Sequence, residues 1–275
     1  MNKTVIQAYP SPLIEAIEAN FDGRVAFVPG LVKGPRVWDQ NNLIRVDSLL
    51  HSDAFNKILH ARLDETDADT RIDEALAAFH AVDRPFAWRV GPCSRPLDLE
   101  RRLAERGLQP AEQEIGLTLE LKDLPLDVEP PPGFEIREVT QLTDLNGFAT
   151  VLAQEAGSGS DDILAYYERA APFLLKGDGP LRLFVAYGQD EPAAVGELFL
   201  SRLGDAPRGL AGIHVVAGER THGRSRLDLA LTWTALDGAR KLGARTAALM
   251  SAPQDQAIYG ELGFQACCRF VDYTP

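Results

Sequence analysis

Apolar and polar positions alternate over Phe134-Glu135-Ile136-Arg137-Glu138-Val139, and this two-residue period predicts a half-buried strand. Two stretches with helical spacing follow, at about Asp144–Glu155 and Asp161–Leu175, the second announced by the capping residues of Ser158–Asp162. Leu181–Tyr187, Ala193–Leu200 and Gly209–Ala217 are rich in strand formers. The segment Gly188-Gln189-Asp190-Glu191 predicts a tight turn, hence antiparallel pairing, and Ser201–Arg208 reads as a polar loop. Leu227, Leu231, Ala235 and Ala239 recur at helical spacing and predict a helix over about Arg226–Leu242, closed by Gly243. A strand over Thr246–Met250, a short helix near Asp255–Leu262 and a last strand near Ala266–Val271 complete the order β, α, α, β, β, β, α, β, α, β.

The first half echoes the end of that order. Asp73–Val82 reads as a helix, Phe86–Val90 as a strand, Leu97–Arg106 as a helix and Ile115–Leu121 as a strand. Ser94-Arg95-Pro96 and Gly107-Leu108 stand where the second half has Ser251-Ala252-Pro253 and Gly263-Phe264. The shared order points to a diverged internal duplication, the plainer alternative being two generic α/β halves. Between them lies Asp123–Gly133, with three consecutive prolines that can neither continue a helix nor pair centrally in a sheet. The expected organisation is a domain over 1–124, a proline-rich connector over 125–133 and a domain over 134–275. The class is α/β (α+β), with mixed sheets flanked by helices.

The length of 275 residues suits two domains, and 45% hydrophobic residues suffice for two cores. Forty acidic against 28 basic side chains give a net charge of -12. Such a charge repels nucleic acid and anionic membrane and suits a small, cationic substrate, or simply a well-solvated surface. Met1–Tyr9 lacks the basic start and apolar stretch of a signal peptide, and no apolar run of about 18 residues is present, so a cytoplasmic protein without a membrane span is expected. Three cysteines, Cys93, Cys267 and Cys268, argue against a disulfide framework. The five histidines are scattered, and no metal site is expected.

Residues 211–264 resemble the heart of the GNAT acyl-CoA N-acyltransferase superfamily. Ala211-Gly212-Ile213-His214-Val215-Val216-Ala217 is similar to its central strand, and Gln256–Phe264 to its A-x-x-x-Y-x-x-L-G-F ending. The resemblance extends over roughly 134–275, and the first half looks like the degenerate copy of two-domain members. It implies a central strand that splays from its neighbour, with acetyl-CoA entering the gap through strand-like hydrogen bonds to residues such as Val215, Val216 and Ala217. A glycine-rich turn at the next helix N-terminus would hold the pyrophosphate. A small-molecule amine would then attack the thioester directly. On this resemblance Tyr259 is the candidate acid for the leaving thiolate, or else a packed helix tyrosine. His214 falls where many members carry a basic carboxylate, or else is a satisfied strand histidine. Glu197, on the preceding strand, is a third candidate that could equally be an exposed strand residue.

The pyrophosphate loop departs from the family's Q/R-x-x-G-x-G/A. An ungapped alignment puts Arg226 and Asp228 at the two small positions, where bulk obstructs backbone approach and a carboxylate repels phosphate. A shifted reading over Arg220–Ser225 keeps Gly223 and Ser225 and lets Arg220, Arg224 and Arg226 bind phosphate through side chains. The corresponding stretch of the first half, Leu63–Thr70, carries four acids and is expected to bind no CoA. Two readings therefore stand: an N-acetyltransferase, or a GNAT-fold binding or regulatory protein that does not use CoA. An unpaired sheet edge would also make a homodimer unsurprising. Tyr166, Tyr167 and Phe173 are possible substrate-pocket residues or simply core.

Overall fold

The computed structural model describes residues 10–125, 127–156, 160–218 and 224–275. In chain order the elements are α1 (Pro12–Leu31), β1 (Arg36–Gln40), β2 (Leu43–Asp47), β3 (Lys57–Leu59), α2 (Ala68–His80), β4 (Ala87–Val90), α3 (Leu99–Ala104) and β5 (Gln109–Glu120). Then come β6 (Phe134–Glu138), α4 (Leu142–Ala156), α5 (Ser160–Leu174), β7 (Leu181–Gly188), β8 (Glu191–Leu203), β9 (Ala206–Gly218), α6 (Arg224–Lys241), β10 (Thr246–Ser251), α7 (Gln256–Gly260) and β11 (Gln265–Thr274). Two compact units result. The first comprises the chain up to Gly116 together with Cys267–Pro275, and the second comprises Leu117–Ala266.

In the second unit the strands lie in the order β5-β10-β9-β8-β7-β6. β6 through β9 are antiparallel neighbours, and β9 and β10 run parallel. β7 and the middle of β8, Ala194–Leu200, are buried without the alternation of a one-sided sheet, as expected where helices cover both faces. α4 and α6 both pack on β7, β8 and β9, and α5 packs on α4. The β7–β8 turn is tight, as its sequence predicts, with Gln189 and Asp190 at φ 53° and 67°. The segment Ser201–Arg208 differs from the loop expected. β8 runs on to Leu203 and β9 starts at Ala206, with Gly204 at φ 55° supplying the turn, so polar composition here marks an exposed hairpin end. The cap expected in Ser158–Asp162 falls partly outside the described residues. Buried Tyr187 fixes α4 on the sheet by donating its hydroxyl to Asp144 Oδ1 at 3.1 Å.

The first unit has the order β1-β2-β3-β4-β11-β5. β1–β2 and β2–β3 are antiparallel and β3–β4 parallel, the same succession as β7–β10. Its core is built around Trp88, Phe79, Phe86, Ile72 and Leu103, with Phe79 and Phe86 stacked at 4.8 Å. Gly107 and Gly263, which follow α3 and α7, both adopt left-handed φ, 91° and 94°, as the repeated Gly-apolar pair requires. Neither sequence half closes its own sheet. The strand beside β4 is the last of the chain, and the strand beside β10 is the end of β5, where Thr118 Oγ1 donates to the Ala247 carbonyl at 3.0 Å.

A buried ion cluster fixes β11 in the first unit. Asp272 accepts from Lys57 Nζ of β3 at 2.6 Å and from Arg89 Nε of β4 at 2.6 Å, and Arg89 Nη2 reaches Glu114 of β5 at 2.5 Å. The Arg89 guanidinium also stacks 3.9 Å from the Phe21 ring. Burial alone would raise the Asp272 carboxyl, but the two cations bring it down to about 2. Four strands are thus pinned in one register by groups that no apolar side chain could replace singly.

Candidate functional site

β9 carries two irregularities at one place. Its antiparallel ladder pairs Glu197 with Val215 and Leu198 with Ile213, so His214 is the extra residue of a bulge. Its parallel ladder with β10 runs from Leu210/Thr246 to Ile213/Leu249, whereas the ladder with β8 continues to Gly218. Among the described residues, β9 therefore parts from β10 at the residue where it bulges. Beyond that point Val215, Val216 and Ala217 pair with β8, and among the described residues no rung to β10 is seen. In sequence, the next described element after β9 is α6, from Arg224.

The structure places the sequence candidates as follows. His214 is half-buried, with Nδ1 inside. Glu197 lies one register step away and is 2% exposed; its Oε1 accepts the hydroxyl of Tyr167 of α5 at 3.2 Å. Tyr167 is buried, with its ring edge-on to Phe148 of α4 at 5.3 Å, and Tyr166 is equally buried, so both belong to the core under the sheet, while Phe173 is exposed. Tyr259 is half-exposed on α7, edge-on to Phe264 at 6.4 Å, and α7 packs against α6. Arg220 and Gly223 lie outside the described residues. Arg224 and Ser225 begin α6, Arg226 is exposed, and Asp228 is buried.

The first unit treats the equivalent place differently. After Ile58↔Trp88, the segment following β4 turns back onto the segment following β3. Arg95 donates its N–H to the Ala61 carbonyl at 2.7 Å, and Leu63 donates to the Arg95 carbonyl at 3.2 Å, making an Arg62–Arg95 bridge. Hydrogen-bonding positions left on one side only in β9 are here satisfied by the chain itself. The four-acid stretch Leu63–Thr70, which runs into the first turn of α2, is partly paired, Asp69 with Arg102 and Arg106 at 2.7 and 3.0 Å.

Sequence reasoning missed a polar cluster in this unit. Glu18 and Asp22 sit on the face of α1 that also buries Ile14, Ile17, Phe21 and Val25. Asp22 Oδ2 meets His60 Nδ1 at 3.0 Å, and Glu18 Oε2 accepts the Cys93 N–H at 3.1 Å. Burial raises both carboxyls, and the bond to Asp22 raises the His60 imidazole. The available signal was two carboxylates four residues apart inside an apolar helical stripe.

Two sets of antiparallel strands, each followed by a parallel strand reached through a helix, define this as a tandem GNAT fold. Solved structures agree. The chain superposes on a GCN5-related N-acetyltransferase from Kribbella flavida with a TM-score of 0.67, over 94% of this chain and 95% of that one, at 18% identity. It superposes on a tandem GNAT protein from the clavulanic acid biosynthesis pathway with a TM-score of 0.59, over 96% and 93%, at 12% identity. For a GCN5-related N-acetyltransferase from Sphaerobacter thermophilus the TM-score is 0.55, over 97% and 94%, at 16% identity. At these identities the likeness is one of fold. No protein-family model matches the sequence, and no curated protein does. Among the described residues no helix is long and apolar enough to cross a membrane, and no group of three or more His, Cys, Asp or Glu side chains could hold a metal ion.

Proposed function

We propose that the second unit is an N-acetyltransferase that uses acetyl-CoA and a small-molecule amine. The observation that carries this reading is the end of the β9–β10 ladder at Ile213/Leu249, beside the bulged His214. An extended, amide-bearing substrate fits a strand whose backbone is paired on one side only, and the N-terminus of the eighteen-residue α6 suits the phosphates beyond it. Acetyl-CoA supplies the acyl thioester. His214 takes the proton of the attacking amine, and the Tyr259 hydroxyl gives one to the departing sulfur. Glu197, held by Tyr167, positions the bulge rather than meeting the substrate.

One observation favours the second reading, a GNAT-fold binding protein without CoA: the carboxylate of Asp228 is buried near the start of α6. Melting the protein with and without millimolar acetyl-CoA separates the two. A ligand at a hundred times its Kd stabilises the native state by about 2.7 kcal/mol, an upward shift of several degrees. No shift, with no heat of binding by calorimetry, removes the transferase reading.

A further inference from the structure

We propose that Cys267 and Cys268 form a dithiol site that exchanges with low-molecular-weight disulfides and ends as a vicinal disulfide. Adjacent side chains of a regular strand point to opposite faces, yet these two Sγ atoms lie 3.5 Å apart. Gly116 makes the approach possible: a Cβ there would collide with the Cys268 sulfur and stand 3.7 Å from that of Cys267. The Cys267 thiol donates to the Gly116 carbonyl at 3.2 Å, so the pair is seated in a niche.

Both sulfurs line an open cavity of about 180 Å³ in the first unit, walled also by Gly91, Ser94, Arg95 and Arg269. Cys267 is half-exposed and Cys268 only 2% exposed, so one sulfur meets an incoming reagent and the other waits behind it. Arg95 and Arg269 favour a reagent bearing carboxylates, although Arg269 also pairs with Glu100 at 2.9 Å. The Cys268 S–H can bond to an ionised Cys267, which lowers the Cys267 thiol below its ordinary range, and the same bond with burial raises Cys268. Cys93 is buried and pushed up to about 12 by burial and by Glu18, which makes it an internal reference.

The exchange balances in two steps. Cys267 loses its proton and attacks one sulfur of RS–SR. The Sγ–S bond forms, the S–S bond breaks, and the departing thiolate takes up the proton as RSH. The Cys268 sulfur, losing its proton in turn, then attacks Cys267 Sγ and expels the second thiolate, which leaves as RSH. Two protein thiols are oxidised and one disulfide is reduced.

Oxidised glutathione is the probe, on the folded full chain, read by mass spectrometry of the tryptic peptide Thr246–Arg269, which holds both residues. The peptide should first carry glutathione on Cys267 and then appear two hydrogens lighter without it. Cys93 should react at least about tenfold more slowly, the ratio that one pKa unit gives in thiolate. Cys268→Ser should halt at the adduct, and Cys267→Ser should slow labelling of Cys268 by at least about tenfold. Equal labelling of Cys93 and Cys267, or an adduct on the wild-type peptide that never resolves, overturns the proposal. The wild-type map decides this by itself, whether or not either variant folds.

Discussion

After β3 and β4 the first unit stitches its parallel pair with its own backbone, through Arg95 to Ala61 and Leu63 to Arg95. After Ile213 and Leu249 the second unit has no described rung between β9 and β10. The surroundings differ in the same sense. The first unit buries ionisable groups around its pair: Lys57, Arg89, Asp272, Glu18 and Asp22. In the second, Leu198 and Leu249 pair beside Ile213 of β9, Glu197 stands beside the bulge, and Asp228 is buried on α6, which packs on β9. A backbone that satisfies itself has no need of a ligand. One paired on a single side must be met by water or by a substrate. The tandem architecture thus has one half that closes its parallel pair with its own backbone and one half in which, on the proposed reading, the end of that pairing is a slot.

The largest effect expected from breaking that contrast is at Asp272. Asp272→Ala leaves Lys57 and Arg89 buried without their shared partner and should cost about 3–5 kcal/mol, measured by urea unfolding. The wild-type contribution is present above the ordinary Asp value of 3.8 and is lost as pH falls through about 2, because the folded carboxyl is depressed. A cost under about 1 kcal/mol would mean that β11 is held by its apolar neighbours alone.

The slot is probed by Tyr259→Phe. If the hydroxyl supplies the proton to the leaving sulfur, turnover should fall about a hundredfold or more, while the acetyl-CoA melting shift stays as in the wild type. Equal losses of turnover and of the shift would place Tyr259 in binding. Unchanged turnover would take it out of the chemistry and weaken the contrast between the halves.

Much of the second unit was legible from periodicity. The run from β6 to β10 matches the predicted order, because long strands of β-branched and aromatic residues and a Leu/Ala helix stripe carry strong local signals. The first unit was less so. α1, with Pro29 and buried carboxylates in its apolar stripe, and the three short strands β1 to β3 give weak periodic signals. The exchange of closing strands is not readable from local pattern, because the partners of β11 are set by contacts between residues far apart in sequence, such as Asp272 with Lys57, 215 positions away, and with Arg89, 183 positions away. Glu197 and His214 could be named as candidates, but not the bulge that places them, since a bulge is a property of two strands in register.

The smallest effect tests what it costs the first unit to keep ionisable groups inside. Glu18 is raised by burial, so the folded chain holds its proton at pH values where the unfolded chain has released it. Stability attributable to Glu18 therefore falls as pH rises from the ordinary value of 4.5 through the folded one. His60, also raised, acts in the same direction: its contribution is complete below 6.5 and is lost as pH rises through its folded value. Glu18→Gln keeps an acceptor for the Cys93 N–H and removes the titration. It should match the wild type at pH 4 and exceed it by about 1 kcal/mol at pH 8, read as the difference of urea midpoints at the two pH values. A variant less stable than the wild type at pH 8 would mean that the charged carboxylate is favoured by Arg62 or His60 more than burial opposes it. The first unit would then resemble an ion-holding site rather than a half whose strands have closed on themselves.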